Sequence, residues 1–286
     1  MKLIALIDGG GTKTRIRFLN QVDQTVVSEV VTGPSNLGLG ADVCWEQIMR
    51  AITLASVPMP VKCLAGLAGS EYAKQRSAFL FNPPCDTLLV SDRDSGLLGA
   101  HGGMPGGCLT VGTGVAFSWL DESRQFLRRG GFGFTLADQG GGAWIGLRFL
   151  QELVRLADRG LIDQSHKKLI DRLAIGQSVT QWMEFANAAQ PRQFASLAKT
   201  IVEAEGQVSL SADIVSEGLM ALIDLIQDFP KHLPIALVGG LSAVYSPRIQ
   251  SSGYHVVEPQ GDALDGLAYI DQHRQQLTID CWESYA

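Results

Sequence analysis

Residues 3–14 read LIALIDGGGTKT. The continuous apolar run predicts a strand that is buried on both faces, and the glycines after Asp8 predict a tight turn. Arg15 and Arg17 then alternate with apolar residues, which predicts a second strand, so the glycines join a hairpin. A P-loop or a dinucleotide-binding turn would lead into a helix instead. The opening therefore argues against both of those nucleotide-binding motifs.

The same pattern returns in the middle of the chain. The apolar residues 108–111 are followed by Gly112-Thr113-Gly114 and then by a second apolar stretch at 115–120. This repeat of strand, glycine turn and strand predicts a weak internal duplication, with one hairpin opening each half. Two similar domains that face each other would bring both turns to one cleft.

The rest of the chain alternates between helical and strand-like patterns. Apolar spacing predicts helices at 41–55, over most of 141–229 and at 262–276, and buried strands at 61–67, 87–90 and 235–238. Residues 101–107, HGGMPGG, are the best candidate for a linker. With 286 residues, the chain has room for two domains of an α/β protein.

Composition narrows the class of ligand. The 23 basic residues are outnumbered by 29 acidic ones, which argues against a nucleic-acid or anionic membrane surface. The charge of a phosphate ligand must then be met by a metal, backbone amides and helix dipoles. The five cysteines include no C-x-x-C pair, and the apolar start is too short for a signal peptide. These features predict a cytoplasmic protein with reduced thiols.

The first glycine turn carries the clearest chemistry. Three glycines let the backbone present N–H groups to an anion, and the Asp8 carboxylate suits a hydrated Mg²⁺. Thr12 adds a hydroxyl donor. The alternative is an ordinary hairpin turn. The turn at Gly112-Thr113-Gly114 is open to the same two interpretations, a phosphate clamp or a plain turn.

Two acidic residues follow the strand predicted at 87–90. Asp92 lies where open α/β sheets place ligands, and a carboxylate there can accept a proton from a substrate hydroxyl. Asp94 could do the same, because residues two apart share a face on a strand but diverge on a helix. The alternative for Asp92 is a helix N-cap. Residue chemistry alone does not choose between Asp92 and Asp94.

Residues 130–142 form a glycine-rich segment with a single acidic residue, Asp138. We expect a flexible, exposed loop whose carboxylate binds sugar hydroxyls. The alternative is a mobile surface loop without a ligand.

Six segments in this order resemble the sugar kinases of the actin-like ATPase superfamily. The resemblance is closest to the N-acetylglucosamine kinases and bacterial glucosamine kinases of the BadF/BadG/BcrA/BcrD ATPase family. The segments are Asp8–Thr12, Ser91-Asp92, Gly112–Gly114, Gly131–Gly133 with Asp138–Gly140, Val238–Gly240 and Pro259–Leu264. The resemblance implies two actin-like (ribonuclease H-like) ATPase domains with a ligand cleft between them. The first would span 1–104 and the second, with a helical insertion, 105–266, while a C-terminal helix at 267–286 packs back on the first.

The resemblance also implies an activity and its residues. The chain would be an ATP-dependent hexosamine kinase that transfers the γ-phosphate to the 6-hydroxyl of N-acetylglucosamine or glucosamine. Asp92 would be the catalytic base and contact the sugar, and Asp8 would be the Mg²⁺ site. ATP would contact Gly10, Gly11, Thr12, Thr113, Gly114, Gly239 and Gly240. The sugar would contact Asn36, Gly131, Phe132, Gly133 and Asp138. A homodimer through the helical second domain is also implied.

Two departures from the family concern the sugar. Val115 and Ala116 stand where relatives often carry a polar residue that contacts the sugar. Gln139 stands where N-acetylglucosamine kinases commonly have a Glu, and a Gln at this position is more similar to the glucosamine kinases. Two alternative functions stay open. One is an ATPase activator of a radical dehydratase or reductase, although no suitable cysteine motif for its cluster is present. The other is a nucleotide-dependent sugar sensor without catalysis.

Overall fold

The computed structural model describes residues 2–277, which divide into two compact units. The first unit contains the chain up to residue 108, residues 118–127 and the segment from 258 onward. The second contains residues 109–117 and 128–257. The domain boundaries expected from the sequence stay predictions, and the portion of the expected C-terminal helix at 278–286 lies outside the described residues.

Both units contain strands and helices. The strands are β1 (Leu3–Gly9), β2 (Thr14–Asn20), β3 (Val26–Thr32), β4 (Lys62–Leu67), β5 (Asp86–Ser91), β6 (Gly106–Val111), β7 (Val115–Leu120), β8 (Phe126–Gly130), β9 (Pro234–Val238) and β10 (His255–Val257). The helices are α1 (Ala41–Ala55), α2 (Ala73–Phe79), α3 (Asp92–His101), α4 (Gly142–Asp158), α5 (Gln164–Leu173), α6 (Val179–Ala188), α7 (Pro191–Glu203), α8 (Ser209–Leu225), α9 (Ser242–Ser251) and α10 (Ala263–His273). Short 3₁₀ turns add Leu37–Leu39 and Arg274–Gln276.

The first sheet has the strand order β3-β2-β1-β4-β5. The strands β1 and β2 are antiparallel, with Gly9 opposite Thr14, so the predicted hairpin is confirmed. The pairs β1–β4 and β4–β5 are parallel, and the carboxyl ends of these three strands therefore share one edge of the sheet. That edge carries Asp8 and leads into Asp92.

The second sheet repeats this plan. Its order is β10-β9-β6-β7-β8, so a central strand is flanked by two consecutive strands on one side and two later strands on the other. The first sheet has the same arrangement with β1 in the position of β6. The internal duplication expected from the two glycine hairpins is thus confirmed at the level of topology.

The core of the first unit forms on both faces of its sheet. Side chains of β1 alternate between the faces, and both sets are buried, as the continuous apolar run predicts. Ala5 and Ile7 belong to a buried cluster that includes Ile48 and Cys44 of α1. On the opposite face, α10 packs against β1 and β4. The central strand is therefore fixed from both sides, which holds Asp8 in place.

Helices α3 and α10 approach each other unusually closely within the first unit. A Cβ added at Gly99 of α3 would lie 1.8 Å from the carbonyl oxygen of Asp262, and one added at Gly266 of α10 would lie 1.8 Å from that of Ser95. Both distances are far inside van der Waals contact. Only glycine fits at either position without movement of the backbone, so this pair of glycines sets the distance between the two helices.

Residues 101–107, the candidate linker, are closely packed at both ends, and their role as a linker between domains stays a prediction. His101 is the last residue of α3 and is buried, with its Nε2 atom 2.7 Å from the Gly107 carbonyl oxygen. Gly106 and Gly107 already belong to β6, and the ring of His101 packs over Gly106. The glycines serve close packing here, which the sequence pattern does not distinguish from flexibility.

Most of the second unit between β8 and β9 is helical, as predicted. The spacing of Ser178 and Gln181 predicts a capping box, and the two residues form one at the start of α6, since each side chain bonds the backbone of the other residue. Helix α4, which follows the glycine-rich segment, packs mainly against α7. Among the described residues, no helix combines the length and apolarity needed to cross a membrane.

Candidate active site

The first glycine turn is held from behind by a short network. The Gly10 carbonyl accepts from the Ser35 N–H at 3.0 Å, and the Thr14 hydroxyl bonds Ser35 Oγ at 2.6 Å. A Cβ on Gly9 would lie 2.0 Å from Ser35 Oγ, so this glycine is required by packing. Residues 11–13 at the tip are exposed. The turn is therefore fixed at its base and open at its tip.

Four glycines of the predicted nucleotide segments have no structural reason to be glycine. A Cβ added at any of them would meet no atom within 4 Å, and none has a positive φ. They are Gly10, Gly11, Gly112 and Gly240. Small residues that neither packing nor backbone geometry demands are expected where a ligand approaches the backbone closely.

Asp92 is the first residue of α3 and not the end of a strand. Ser91 is the N-cap, with its side chain accepting from the Arg93 N–H, so the N-cap alternative for Asp92 is wrong. The Asp92 side chain is partly exposed, and its Oδ1 also accepts from the Arg93 N–H at 3.0 Å. A carboxylate in this position sits on the positive end of the helix dipole.

The surroundings of Asp92 favour its protonated form. Burial raises the pKa of Asp92 to about 6, and the neighbouring charges of Glu71 and Asp8 add to the rise while Arg93 opposes it. A carboxyl group with a pKa near the working pH is well suited to accept and release a proton. Asp94, by contrast, is only 1% exposed. Of the two candidates, Asp92 is the one that a substrate can contact.

Asp8 shares its edge of the sheet with two charged groups. Burial raises the pKa of Asp8 above its usual value; Arg15 opposes this rise and Asp262 adds to it. Arg15 itself donates to Asp262 at 2.7 Å and to Glu29 at 3.1 Å. Because Arg15 is committed to these two carboxylates, it does not pair with Asp8. Lys13 also lowers the pKa of Asp8 through its charge, but within the described residues neither basic side chain forms an ion pair with Asp8.

Asn36, a predicted sugar contact, caps the 3₁₀ turn that begins at Leu37. Its Oδ1 accepts from the Gly38 N–H at 2.7 Å. Within the described part of the chain, its Nδ2 makes no hydrogen bond, so one face of the amide stays available as a donor.

The second glycine turn is enclosed by the segment that follows β8. The carbonyls of Gly112 and Thr113 accept from the N–H groups of Gly142 and Ala143, at 2.8 and 2.9 Å. The Thr113 side chain is exposed. The turn is thus fastened through its carbonyls, as the first turn is through Gly10.

The loop that carries Asp138 is largely exposed, as expected, but the Asp138 carboxylate itself is buried. Phe132 and Gly133 are exposed and Gly131 partly so, but Asp138 is only 9% exposed. Its Oδ1 accepts from the Val115 N–H at 3.0 Å, and Gly131 donates to the Val115 carbonyl. The loop carries Asp138 inward because the backbone at this residue turns with a φ of 71°.

A cavity of about 360 Å³ lies beside this loop, inside the second unit. Its lining includes Val115, Gly130 and Asp138 on one side and Asp224 and Leu225 of α8 on the other. The lining includes the carboxylates of Asp138 and Asp224, so the cavity suits a ligand group rich in hydrogen-bond donors.

Gly239 and Gly240 connect β9 to α9 and are exposed. Gly239 has a φ of 102°, and a Cβ there would lie 2.5 Å from the Val111 carbonyl oxygen, so only glycine fits. The Leu241 N–H donates to that same carbonyl at 3.0 Å. The two glycines that are predicted to contact ATP therefore lie next to β6, the strand that leads into the second glycine turn.

Sequence reasoning missed two residues of the loop after β4. Ser70 is fully buried, and its hydroxyl has no partner in the described part of the chain. Glu71 is close enough to Asp92 to raise its pKa. Since β4 lies between β1 and β5, the loop after it shares their carboxyl edge. The Gly69-Ser70 pair after a buried strand was a signal that could have identified the loop.

Sequence comparison finds similarity to kinases of amino sugars. No protein-family profile matches it. It is 29% identical to a glucosamine kinase of Vibrio cholerae, over 91% of this chain and 92% of that one. It is also 23% identical to an N-acetylmuramic acid/N-acetylglucosamine kinase of Clostridium acetobutylicum, over 98% and 92% of the two chains. The chain is a relative of the bacterial amino-sugar kinases.

Comparison of structures agrees. A protein of Chromobacterium violaceum, provisionally assigned as an N-acetylglucosamine kinase, superimposes with a TM-score of 0.82 at 27% identity, over 94% of this chain and 99% of that one. The predicted α/β fold of actin-like ATPase type is confirmed, as is the resemblance to the amino-sugar kinases. The comparisons support the predicted hexosamine kinase over the activator and the sensor.

Proposed function

We propose that this protein is an ATP-dependent hexosamine kinase that phosphorylates the 6-hydroxyl of glucosamine or N-acetylglucosamine. The observation that carries the proposal is the set of open glycines at the ends of three buried strands, together with Asp92. Gly10, Gly112 and Gly240 expose the backbone at positions where neither packing nor backbone geometry requires glycine. The named relatives are kinases of these sugars.

Asp92 is the proposed catalytic base. Its carboxylate takes the proton of the 6-hydroxyl as that oxygen forms a bond to the γ-phosphorus and the bond to the ADP oxygen breaks. A pKa of about 6 leaves Asp92 mostly ionised at neutral pH, so that it can accept the proton. The same group then returns the proton to solvent.

Backbone amides of the two glycine turns are proposed to bind the ATP phosphates. The residues assigned to ATP are Gly10, Gly11, Thr12, Thr113, Gly114, Gly239 and Gly240. Both turns are fixed through hydrogen bonds that involve their carbonyls. Because the turns are already in place, their amides need no reorientation when negative charge develops on the transferred phosphoryl group. The exposed hydroxyls of Thr12 and Thr113 add two donors.

The residues present fit Mg²⁺ brought by the nucleotide. Among the described residues, no group of three or more candidate ligands forms a cage for a metal. Mg²⁺ commonly binds through one or two carboxylates plus substrate phosphates, and Asp8 supplies one carboxylate that forms no ion pair within the described residues. When bound, Mg²⁺ supplies charge neutralisation of the phosphates, and Asp8 is the residue proposed to hold it.

The sugar is proposed to contact Asn36, Asp92, Gly131, Phe132, Gly133 and Asp138. Asn36 offers its Nδ2 as a donor, and the loop that ends at Asp138 offers backbone groups at the exposed Gly133. We also propose a cytoplasmic location and a homodimer through the helical second unit, both of which follow from the kinase assignment.

Release of ADP tests the function directly. Purified protein is mixed with ATP, Mg²⁺ and either glucosamine, N-acetylglucosamine or glucose, and ADP is measured for each sugar. We expect strong stimulation by at least one amino sugar and weaker stimulation by glucose. Absence of stimulation by all three sugars would remove the kinase proposal, and sugar binding without ADP release would favour the sensor.

A further inference from the structure

The loop of residues 131–141 and the glycine turn of residues 112–114 are joined at both ends of the turn. Gly142 and Ala143, just after the loop, donate to the carbonyls of Gly112 and Thr113. Gly131, at the start of the loop, donates to the Val115 carbonyl at 2.9 Å. These bonds hold the turn through its acceptors.

Asp138 bonds a backbone donor at the turn, whereas the bonds above involve only carbonyl acceptors. Its Oδ1 accepts from the Val115 N–H, the first amide after the turn, over a sequence separation of 23 residues. Its carboxylate also packs directly on Gly114: a Cβ there would lie 2.4 Å from Oδ2, 2.8 Å from Cγ and 3.0 Å from Oδ1. The three nearest obstacles to a side chain at residue 114 therefore belong to one residue.

The charge of Asp138 makes a purely direct role toward phosphate unfavourable. A carboxylate beside a phosphate-binding turn repels the ligand, whereas a buried amide N–H requires an acceptor, and an ionised acceptor bonds it strongly. The benefit of this residue to a nucleotide site must then pass through the backbone that it fixes.

We propose that Asp138 is a positioning residue for the ATP phosphates. Its carboxylate fixes the geometry of the turn at Gly112–Gly114 through Val115, and so ties the loop with the proposed sugar contacts to the turn with the proposed phosphate contacts. The identity of the ligands in this statement rests on the proposed function. The bond from Asp138 to Val115 does not.

Four variants separate positioning from charge. Asp138→Asn keeps an oxygen acceptor and tolerates the positive φ, while Asp138→Gly removes the side chain without straining the backbone. Gly114→Ala introduces a methyl group against the carboxylate. The double variant Gly114→Ala with Asp138→Gly introduces the same methyl group where the carboxylate has gone.

The dissociation constant of a non-hydrolysable ATP analogue with Mg²⁺, measured calorimetrically without sugar, is the main readout. We expect Asp138→Gly to weaken binding by roughly tenfold, in line with the loss of a charge-assisted hydrogen bond. Asp138→Asn should stay within about twofold of the parent, because its acceptor remains. Gly114→Ala should weaken binding, and the double variant should bind no more weakly than Asp138→Gly alone, since neighbouring substitutions are non-additive when one relieves the other.

A second readout needs no ligand. The exchange rate of the Val115 amide hydrogen, measured by NMR, should rise in Asp138→Gly and stay near the parent value in Asp138→Asn. If Asp138→Gly does not fold, the comparison of Asp138→Asn with Gly114→Ala still tests the proposal. Parent-like analogue binding by Asp138→Gly, or additive losses in the double variant, would overturn it. Absence of ADP release with every sugar would instead overturn the kinase function while the bond to Val115 still stood.

Discussion

Asp92 and Asp94 stand two positions apart at the start of α3, yet their environments differ completely. Asp94 is 1% exposed, whereas Asp92 is partly open and carries a pKa raised to about 6. On a helix, positions two apart point in different directions, so only one of the pair can face a ligand. The choice that residue chemistry left open is decided by the local backbone.

Replacement of Asp92 tests its role as the base. Asp92→Asn should lower the rate of sugar phosphorylation by about 10²- to 10⁴-fold, because the amide cannot accept the proton. Binding of ATP should remain nearly unchanged in a calorimetric titration. The matched control is Asp86→Asn, an exposed position at the opposite end of β5, which should keep full activity. Full turnover by Asp92→Asn would contradict the proposal that Asp92 is the catalytic base.

The pH dependence follows from the raised pKa of Asp92. A base works in its ionised form, so kcat/KM should fall as the pH drops through about 6. Glu71 contributes to the raised pKa through its negative charge. Glu71→Gln should therefore move the acidic limb of the profile to lower pH, and Glu46→Gln, an exposed substitution on α1, should leave it in place. Identical limbs in the parent and Glu71→Gln would contradict the proposed coupling.

The contact between α3 and α10 shows how a pair of elements sets the position of the site. Ion pairs accompany the close glycine packing: Arg15 with Asp262, Arg17 with Asp265 and Lys62 with Asp271. All three join the sheet to the start or body of α10. Since α3 begins at Asp92, the packing of α10 also fixes the proposed base.

Glycine substitutions on α3 test this packing. A Cβ at Gly99 would overlap the backbone of Asp262, so Gly99→Ala should lower the free energy of unfolding by about 1–3 kcal/mol or more. Gly96, one turn earlier in the same helix, has no atom within 4 Å of an added Cβ. Gly96→Ala should raise the free energy of unfolding by about 0.5–1 kcal/mol, because alanine favours the helix. Urea titrations measure the free energy of unfolding of both variants. Equal changes in Gly99→Ala and Gly96→Ala would refute the close contact at Gly99.

The whole molecule is built from one topological plan used twice. Each sheet places a central strand before a glycine turn. Because the 29 acidic residues outnumber the 23 basic ones, we expect backbone amides and a metal to neutralise the phosphates of the proposed nucleotide. The metal is therefore proposed to strengthen nucleotide binding.

Metal removal tests that conclusion. An ATP analogue with Mg²⁺, at about 100 times its dissociation constant, should raise the free energy of unfolding by roughly 2.7 kcal/mol. A chelator should abolish most of this stabilisation, and the Mg²⁺-dependent part should be lost in Asp8→Asn. The measurement is a denaturant titration with and without metal. Equal stabilisation under all conditions would exclude Asp8 as the metal ligand.

The sequence predicted those parts of the fold that depend on local pattern. Both glycine hairpins, the first strand and the α6 capping box follow from neighbouring residues. Strand β3 was not predicted, because it lies at a sheet edge and Val26 and Val31 are exposed, so that its apolar residues mark no buried face. The buried position of Asp138 could not be predicted, because its hydrogen-bond partner, Val115, is 23 residues away in the sequence. Contacts of that range leave no periodic signal.

The packing of α10 against α3 bears on how the chain is made. The first unit contains residues up to 108 but also needs the segment from 258 onward, whose Gly266 fits against Ser95. During synthesis, the strands around Asp8 leave the ribosome long before α10 exists. The small-residue face of α3 stays uncovered until the whole second unit has been translated. The first unit to be synthesised is thus the last to be completed, and the nascent chain carries an open apolar face in the meantime.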